Sequence, residues 1–193
     1  MKASSTLFVA GLIALSTELC AQTPADRGCW VRGSRAGLAG RPSALDSTSV
    51  ALRDGEVKVC YGAPKKNGRQ IAGGLIPYGQ PWRLGANEAT VVYMPAKGTI
   101  AGVAVEPGWY SLYTIASQNE WKVFVNSATQ RWGVPISDDI RATDVGSGTV
   151  RVETADTPEE ALKLNLASTG ANAATLTAQW DQTRVRIPIV LKP

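Results

Sequence analysis

The sequence contains no histidine among its 193 residues, and only three cysteines, two methionines and two phenylalanines. Without histidine the chain cannot form a Ser-His-Asp or Cys-His catalytic triad. Histidine-ligated zinc, copper and non-haem iron sites are excluded for the same reason. Any acid–base chemistry would therefore fall to aspartate, glutamate, lysine or tyrosine. The sequence predicts neither a metal site nor a cofactor.

Long apolar runs are also scarce, and the one present lies near the N-terminus in the arrangement of a secretory signal peptide. A basic residue precedes the apolar run 7–15, which is too short to cross a bilayer as a helix, and a small-residue cleavage site ends at Ala21. We expect residues 1–21 to be removed, the protein to be periplasmic or secreted, and the remaining chain to have no membrane span. A lipoprotein with Cys20 lipidated is the weaker alternative, because a large residue precedes that cysteine.

Cleavage after Ala21 would leave Cys29 and Cys60 as the remaining cysteines. In an oxidising compartment an isolated pair is most simply a disulfide. It would tie an N-terminal extension, residues 22–45, to the first hairpin of the domain that follows. A redox-active or metal-binding pair is the poorer alternative, because the spacing is not C-x-x-C and no histidine completes a zinc site.

The formal charge of +4 is scattered along the chain, and Lys65-Lys66 is its only basic doublet. A nucleic-acid groove needs a stripe of basic residues on one face. We therefore expect no nucleic-acid partner.

From residue 48 onward, apolar and polar residues alternate with a period of two, which predicts strands with one wet face. Asp54-Gly55 separates the first two strands and is the favoured dipeptide of a two-residue hairpin turn. The predicted strands are 48–53, 57–61, 90–94, 99–105, 109–115, 121–126, 149–154, 161–166, 174–180 and 183–190. About ten short strands joined by tight turns predict an all-β fold, an antiparallel β-sandwich over residues 46–193.

Residues 62–88 interrupt this alternation. A connection of that length is uncommon unless it is functional or disordered. Its apolar residues Ile71, Leu75, Ile76 and Trp82 argue for order, and we expect them to close one end of the sandwich.

This stretch carries a resemblance to a known family. It contains CYGAPKKNGRQIAGGLIPYGQPWRLGANEAT, and the chain continues with EPGWYSLYTI, EWKVFVN, RWGVPI and WDQTRVRIPI. These segments resemble the family catalogued as domain of unknown function 2911, over roughly residues 45–190. The resemblance implies a bacterial exported all-β domain. It implies no activity, so no catalytic residue is carried over.

Candidate ligand-binding residues concentrate in the same stretch, with one further tryptophan. They are Arg69, Arg83, Asn87, Glu88, Tyr78, Trp82 and Trp132. Two guanidinium groups can hold a carboxylate or phosphate, and the aromatic rings can stack on a sugar. A purely structural interpretation stays open, in which Arg83 pairs with Glu88 and Asn87 holds a turn.

Three functions remain open at this level. The leading hypothesis is a non-enzymatic binding module for a small anionic or carbohydrate ligand, or for a partner in the cell envelope. The second is a metal-independent hydrolase that uses Glu88 with Asp138 or Asp139, in the manner of a glycosidase carboxylate pair. The third is a structural envelope protein without a pocket.

Overall fold

The computed structural model describes residues 28–192, so the predicted signal peptide and residues 22–27 lie outside the described residues. The strands are β1 (Ala44–Leu52), β2 (Gly55–Ala63), β3 (Pro81–Trp82), β4 (Thr90–Met94), β5 (Gly98–Ile100), β6 (Val103–Val105), β7 (Gly108–Ala116), β8 (Glu120–Asn126), β9 (Asp144–Gly170) and β10 (Ala173–Leu191). Helix within residues 28–192 is limited to a 3-10 turn, Arg35–Leu38, and to α1, Asp138–Arg141. Each has four residues, and neither has the length or apolar character needed to cross a bilayer.

All strand pairs are antiparallel, which confirms the predicted all-β class. The strands follow one hydrogen-bonded path in the order β1-β2-β4-β7-β8-β9-β10-β5-β6, and β3 pairs with β7 off this path. This strand order does not confirm the finer arrangement of the prediction, the packing of the strands as a sandwich. A single hydrophobic cluster draws side chains from strands along most of this path.

Two turns differ from the sequence prediction. In the β1–β2 hairpin Leu52 pairs with Gly55, so the turn consists of Arg53 and Asp54, one residue earlier than predicted. The predicted strand 99–105 is instead the hairpin β5–β6, with Ala101 and Gly102 at its tip. Both tip residues have positive φ, 50° and 82°, as type I′ hairpin turns require, and alanine gives no sequence signal for that conformation.

The last four predicted strands are two long ones. β9 joins the predicted strands 149–154 and 161–166, and β10 joins the other two. The apparent breaks are bulges: opposite Asp181, whose φ is 52°, the register on β9 jumps from Glu159 to Thr154. A bulge bends a strand without ending it, so polar residues at a bulge resemble a turn in the sequence.

Residues between β2 and β4 form the predicted ordered loop. Ile71 and Ile76 are each only 1 % exposed and belong to the core, while Leu75 packs against it from a partly buried position. The loop therefore carries its own share of the hydrophobic cluster, as its composition predicts.

Trp82, on the short strand β3 within this loop, joins it to the rest of the core. Its ring stacks on Trp180 with centroids 6.2 Å apart and meets the edge of Trp121 at 5.6 Å. The expectation that Trp121 and Trp180 are core residues is confirmed, because each is 2 % exposed. Aromatic pairs in these geometries stabilise a core beyond the area they bury.

The far end of the loop approaches β2 closely at Gly62. A Cβ atom at this position would lie 2.1 Å from the carbonyl oxygen of Ala86, so only glycine lets the two backbones come this near. The Ala86 amide donates a 3.1 Å hydrogen bond to the Gly62 carbonyl across the same contact.

We predict that Gly62→Ala destabilises the protein by about 1–3 kcal/mol, because the added methyl group must push the loop away from β2. The control is Gly37→Ala in the 3-10 turn, where a Cβ would meet open space. That change is expected to alter stability by less than about 0.5 kcal/mol. Urea unfolding of both variants measures the difference, and equal effects would contradict the assigned contact.

Candidate functional site

The predicted site residues do not converge on one pocket. Four of them, Arg83, Asn87, Glu88 and Trp132, lie around the segment 131–133. The other three lie elsewhere: one beside a cleft, one in the core and one on the outer surface of the loop.

Glu88 is the most buried charged group of the set, at 4 % exposed. Its partners come from the segment before β1. Arg41 Nη1 lies 2.7 Å from Glu88 Oε2, and the backbone amide of Arg32 donates to Oε1 at 2.9 Å. The Arg83–Glu88 pair suggested by the sequence is replaced by an Arg41–Glu88 pair.

The environment of Glu88 keeps its carboxyl ionised. Burial by itself disfavours the charged form, but the hydrogen bonds from Arg41 and from the Arg32 amide outweigh it and lower the pKa. A general acid needs the opposite shift, since it must hold its proton near the working pH.

Trp132 and Asn87 are joined to Glu88 through the backbone. Glu88 and Trp132 form an isolated antiparallel bridge, and the Gly133 amide donates to the Asn87 carbonyl at 2.8 Å. Asn87 holds a left-handed turn, with φ 62°, and its side-chain amide donates to the Ser43 carbonyl at 3.0 Å. The turn-holding role considered for Asn87 is thus what the structure shows.

The predicted arginines are engaged on backbone carbonyl groups. Arg83 Nε donates to Gly85 at 3.0 Å, and burial lowers the pKa of its guanidinium. Arg69, exposed on the loop, donates to the carbonyls of Lys65 at 2.7 Å and Lys66 at 3.0 Å. The structure does not place the two guanidiniums together as a clamp for an anion.

Trp82 and Tyr78 have different surroundings although both were expected to stack on a ligand. Trp82 is in the core, where Trp121 and Trp180 occupy its ring. Tyr78 is 39 % exposed and lies on a cleft of about 260 Å³.

Three parts of the fold build this cleft: the loop before β3, the turn between β7 and β8, and the paired strands β9 and β10 at their bulge. Its lining residues are Ala72, Ile76, Tyr78, Ser117, Gln118, Trp121, Val152, Thr154, Gln182 and Thr183. None of them is charged. An open groove of about 600 Å³ shares Tyr78, Ser117 and Gln118 and extends to Asn119, Glu120 and Lys122.

The polar groups of the cleft are available to a ligand. The side-chain amides of Gln118 and Gln182 and the hydroxyl of Thr154 form no hydrogen bond to another group within residues 28–192. Each amide offers two donors and one acceptor oxygen. The cleft therefore presents an aromatic ring beside neutral donors and acceptors.

Sequence reasoning found Tyr78 but missed Gln118, Thr154 and Gln182. Gln118 is in a tight hairpin turn, and Gln182 follows the bulge residue Asp181. An exposed glutamine in a turn looks like ordinary solvated surface. The register jump between β9 and β10 brings Thr154 and Gln182 to the cleft, and the alternation of residues in the sequence does not reveal that jump.

The carboxylates of the hydrolase hypothesis do not have the environments of a catalytic pair, in which one carboxyl group keeps its proton and the other is ionised. Glu88 is ionised and paired with Arg41, while Asp138 and Asp139 are exposed on α1. Within the part of the chain that the structure describes, no three acidic or cysteine side chains are grouped as a metal site would require.

Fold and surface together define a small all-β protein with an uncharged polar cleft beside an exposed tyrosine. The chain belongs to the family described as protein of unknown function (DUF2911), whose model matches residues 43–189. The resemblance seen in the sequence motifs is thereby confirmed. No curated protein and no solved structure matches the chain significantly.

We predict that Glu88→Gln destabilises the fold by about 1–3 kcal/mol at pH 7, because it removes the charge that holds Arg41. The folded-state pKa lies below the unfolded value of about 4.3, so ionised Glu88 stabilises the fold above that pH. This contribution disappears as the pH falls through the folded-state pKa. The gap between wild type and variant should therefore close in acid.

Urea unfolding at pH 7 and at about pH 3 measures this gap. The control is Glu106→Gln, since Glu106 is exposed and paired only with Lys97 at 3.3 Å. An exposed pair of this kind contributes less than about 1 kcal/mol, so little change is expected at either pH. A Glu88→Gln gap that persists undiminished in acid would contradict the assigned ionisation.

Proposed function

We propose that the protein is a non-enzymatic binding module whose cleft beside Tyr78 takes a small carbohydrate ligand. The observation that carries the proposal is the composition of the cleft, which combines an exposed aromatic ring with free amides and hydroxyls and includes no charged residue. Ligand sites typically combine apolar and aromatic walls with a few placed polar groups.

Carbohydrate fits this lining for two reasons. The C–H face of a sugar ring is apolar enough to stack on an aromatic ring. Its hydroxyls donate and accept hydrogen bonds, which matches amides such as those of Gln118 and Gln182. The neighbouring groove gives a longer saccharide room to continue past Tyr78.

The anionic ligand considered from the sequence is the weaker choice. An anion needs a positive partner, and the cleft itself offers none. Arg69 and Arg83 already donate to backbone carbonyls, so binding of an anion by either guanidinium would compete with those hydrogen bonds. Lys122 stands only on the wall of the neighbouring groove.

No particular observation favours the hydrolase hypothesis. Glu88 has a lowered pKa, and both of its carboxylate oxygens accept hydrogen bonds. A partner in the envelope remains compatible with the same cleft if that partner displays a saccharide.

An exported location belongs to the same proposal. The disulfide between Cys29 and Cys60 supports it, because structural disulfides persist mainly in oxidising compartments. The proposed ligand would then be met in the periplasm or outside the cell.

We predict that Tyr78→Ala weakens binding of a neutral saccharide by about ten-fold or more, which corresponds to about 1.4 kcal/mol of lost stacking. Tyr78→Phe keeps the ring and should retain most of the affinity. A panel of neutral mono- and oligosaccharides, screened by thermal shift and followed by calorimetry, supplies the ligand.

The matched control is Arg69→Ala, on the same loop but outside the cleft lining. It should bind the saccharide as wild type does. If no neutral saccharide binds, or if an anionic one binds and its affinity is lost in Arg83→Ala but kept in Tyr78→Ala, the assignment of this cleft is wrong.

A further inference from the structure

The segment before β1 crosses the surface of the domain as a strap, which we define as residues 28–43. Within the strap no residue is buried. It is attached by the Cys29–Cys60 disulfide, by two hydrogen bonds to Glu88 and by the Asn87 side chain on Ser43. A segment with so little buried apolar area opens at low free energy once its tether is removed.

The strap covers the Glu88 carboxylate with one guanidinium and one backbone amide. Arg41 and the Arg32 amide engage one carboxylate oxygen each, at 2.7 and 2.9 Å. Charge-assisted hydrogen bonds between a guanidinium and a carboxylate are among the stronger polar contacts in proteins. The Arg41 guanidinium thus makes the strongest polar contact of the Glu88 carboxylate.

The same two arginines lie over the ring of Trp132. The guanidinium carbons of Arg32 and Arg41 are 5.9 and 5.8 Å from the ring centroid, within the range of cation–π attraction. Glu88 and Trp132 therefore act together as one acceptor surface: a carboxylate beside an aromatic face, which suits a planar cation.

This acceptor surface is held in place without the strap. The backbones of Glu88 and Trp132 are bridged, and the Ala89 amide donates to the Arg131 carbonyl at 3.1 Å. Both acceptor residues lie inside the family match, residues 43–189, whereas Arg32 and Arg41 precede it. The site lies within the part of the chain that the family model matches, and its occupant lies before that part.

We infer that Glu88 and Trp132 form a binding site for a guanidinium-bearing ligand, such as an arginine side chain of a partner peptide, and that the strap fills this site in cis while the Cys29–Cys60 disulfide is closed. A dithiol reductant opens it: the reductant gives two electrons and two protons, becomes a disulfide, and leaves two thiols at Cys29 and Cys60. The strap then withdraws, and an external guanidinium takes the place of Arg41.

The disulfide makes this a switch rather than a simple competition. A tethered occupant competes at an effective concentration on the order of millimolar, which masks the site from a weak ligand. Reduction frees the N-terminal end of the strap, which then stays joined to the domain through Ser43 and β1. The effective concentration of Arg32 at the site falls, Arg41 is left without the support of the closed strap, and the population of the open site rises.

The first arm of the test is Arg41→Ala, which removes the occupant and keeps the disulfide. Calorimetry with N-acetyl-L-arginine amide should show at least about ten-fold tighter binding than to oxidised wild type. Arg35→Ala is the matched control, because Arg35 donates to the Cys29 carbonyl within the strap and does not contact Glu88. It should bind the probe no better than wild type. Trp132→Leu added to Arg41→Ala should abolish the gain.

The second arm is reduction of wild type by dithiothreitol, with circular dichroism to check that the fold persists. Cleavage by trypsin after Arg32 and Arg35 should accelerate, and the arginine probe should bind more tightly than to oxidised wild type.

The proposal is overturned if folded Arg41→Ala shows no gain over Arg35→Ala, since Glu88 would then serve only as an anchor. It is equally overturned if reduced, folded wild type keeps the slow cleavage and weak binding of the oxidised form. If reduction unfolds the protein, the first arm decides alone.

Discussion

The packing of Trp82 against Trp121 and Trp180 is the interaction on which the other features depend. It fastens the middle of a long irregular loop to side chains from two distant strands. With that point fixed, the part of the loop before it supplies Tyr78 to the cleft, and the part after it supplies Glu88 to the strap. The buried Ile71 and Ile76 support the loop before this contact, and the hydrogen bond from the Ala86 amide to the Gly62 carbonyl supports it afterwards.

Several polar side chains of the loop serve as hydrogen-bond partners for backbone groups. A long connection buries carbonyl and amide groups that require partners, and side chains of arginine and asparagine meet that need. Arg69, Arg83 and Asn87 are used in this way. The amide side chains of Gln118 and Gln182, which lie at a turn and beside a bulge, have no such hydrogen bond within residues 28–192.

Several features were predictable because they depend on local patterns. Alternation with a period of two predicted β8 nearly to the residue, since exposed and buried residues alternate along most of it. The features that were not predictable depend on contacts between distant segments. Arg41 is 47 residues from Glu88 in the chain, and nothing near either residue signals the pairing. The bulge at Asp181 hid the continuity of β10 because its local sequence is that of a turn.

The sequence by itself determined the all-β antiparallel class, the pairing of Cys29 with Cys60 and the burial of the loop's apolar residues. The class and the burial follow from where apolar and polar residues stand in the sequence. The cysteine pairing follows from composition, because only two cysteines remain after the predicted cleavage. Only the tertiary structure decided that Glu88 faces the strap, that Trp82 lies in the core and that Tyr78 stands beside a cleft. The physical reason is that a side chain's role depends on which distant backbone groups and rings surround it, and strand order with register sets those neighbours.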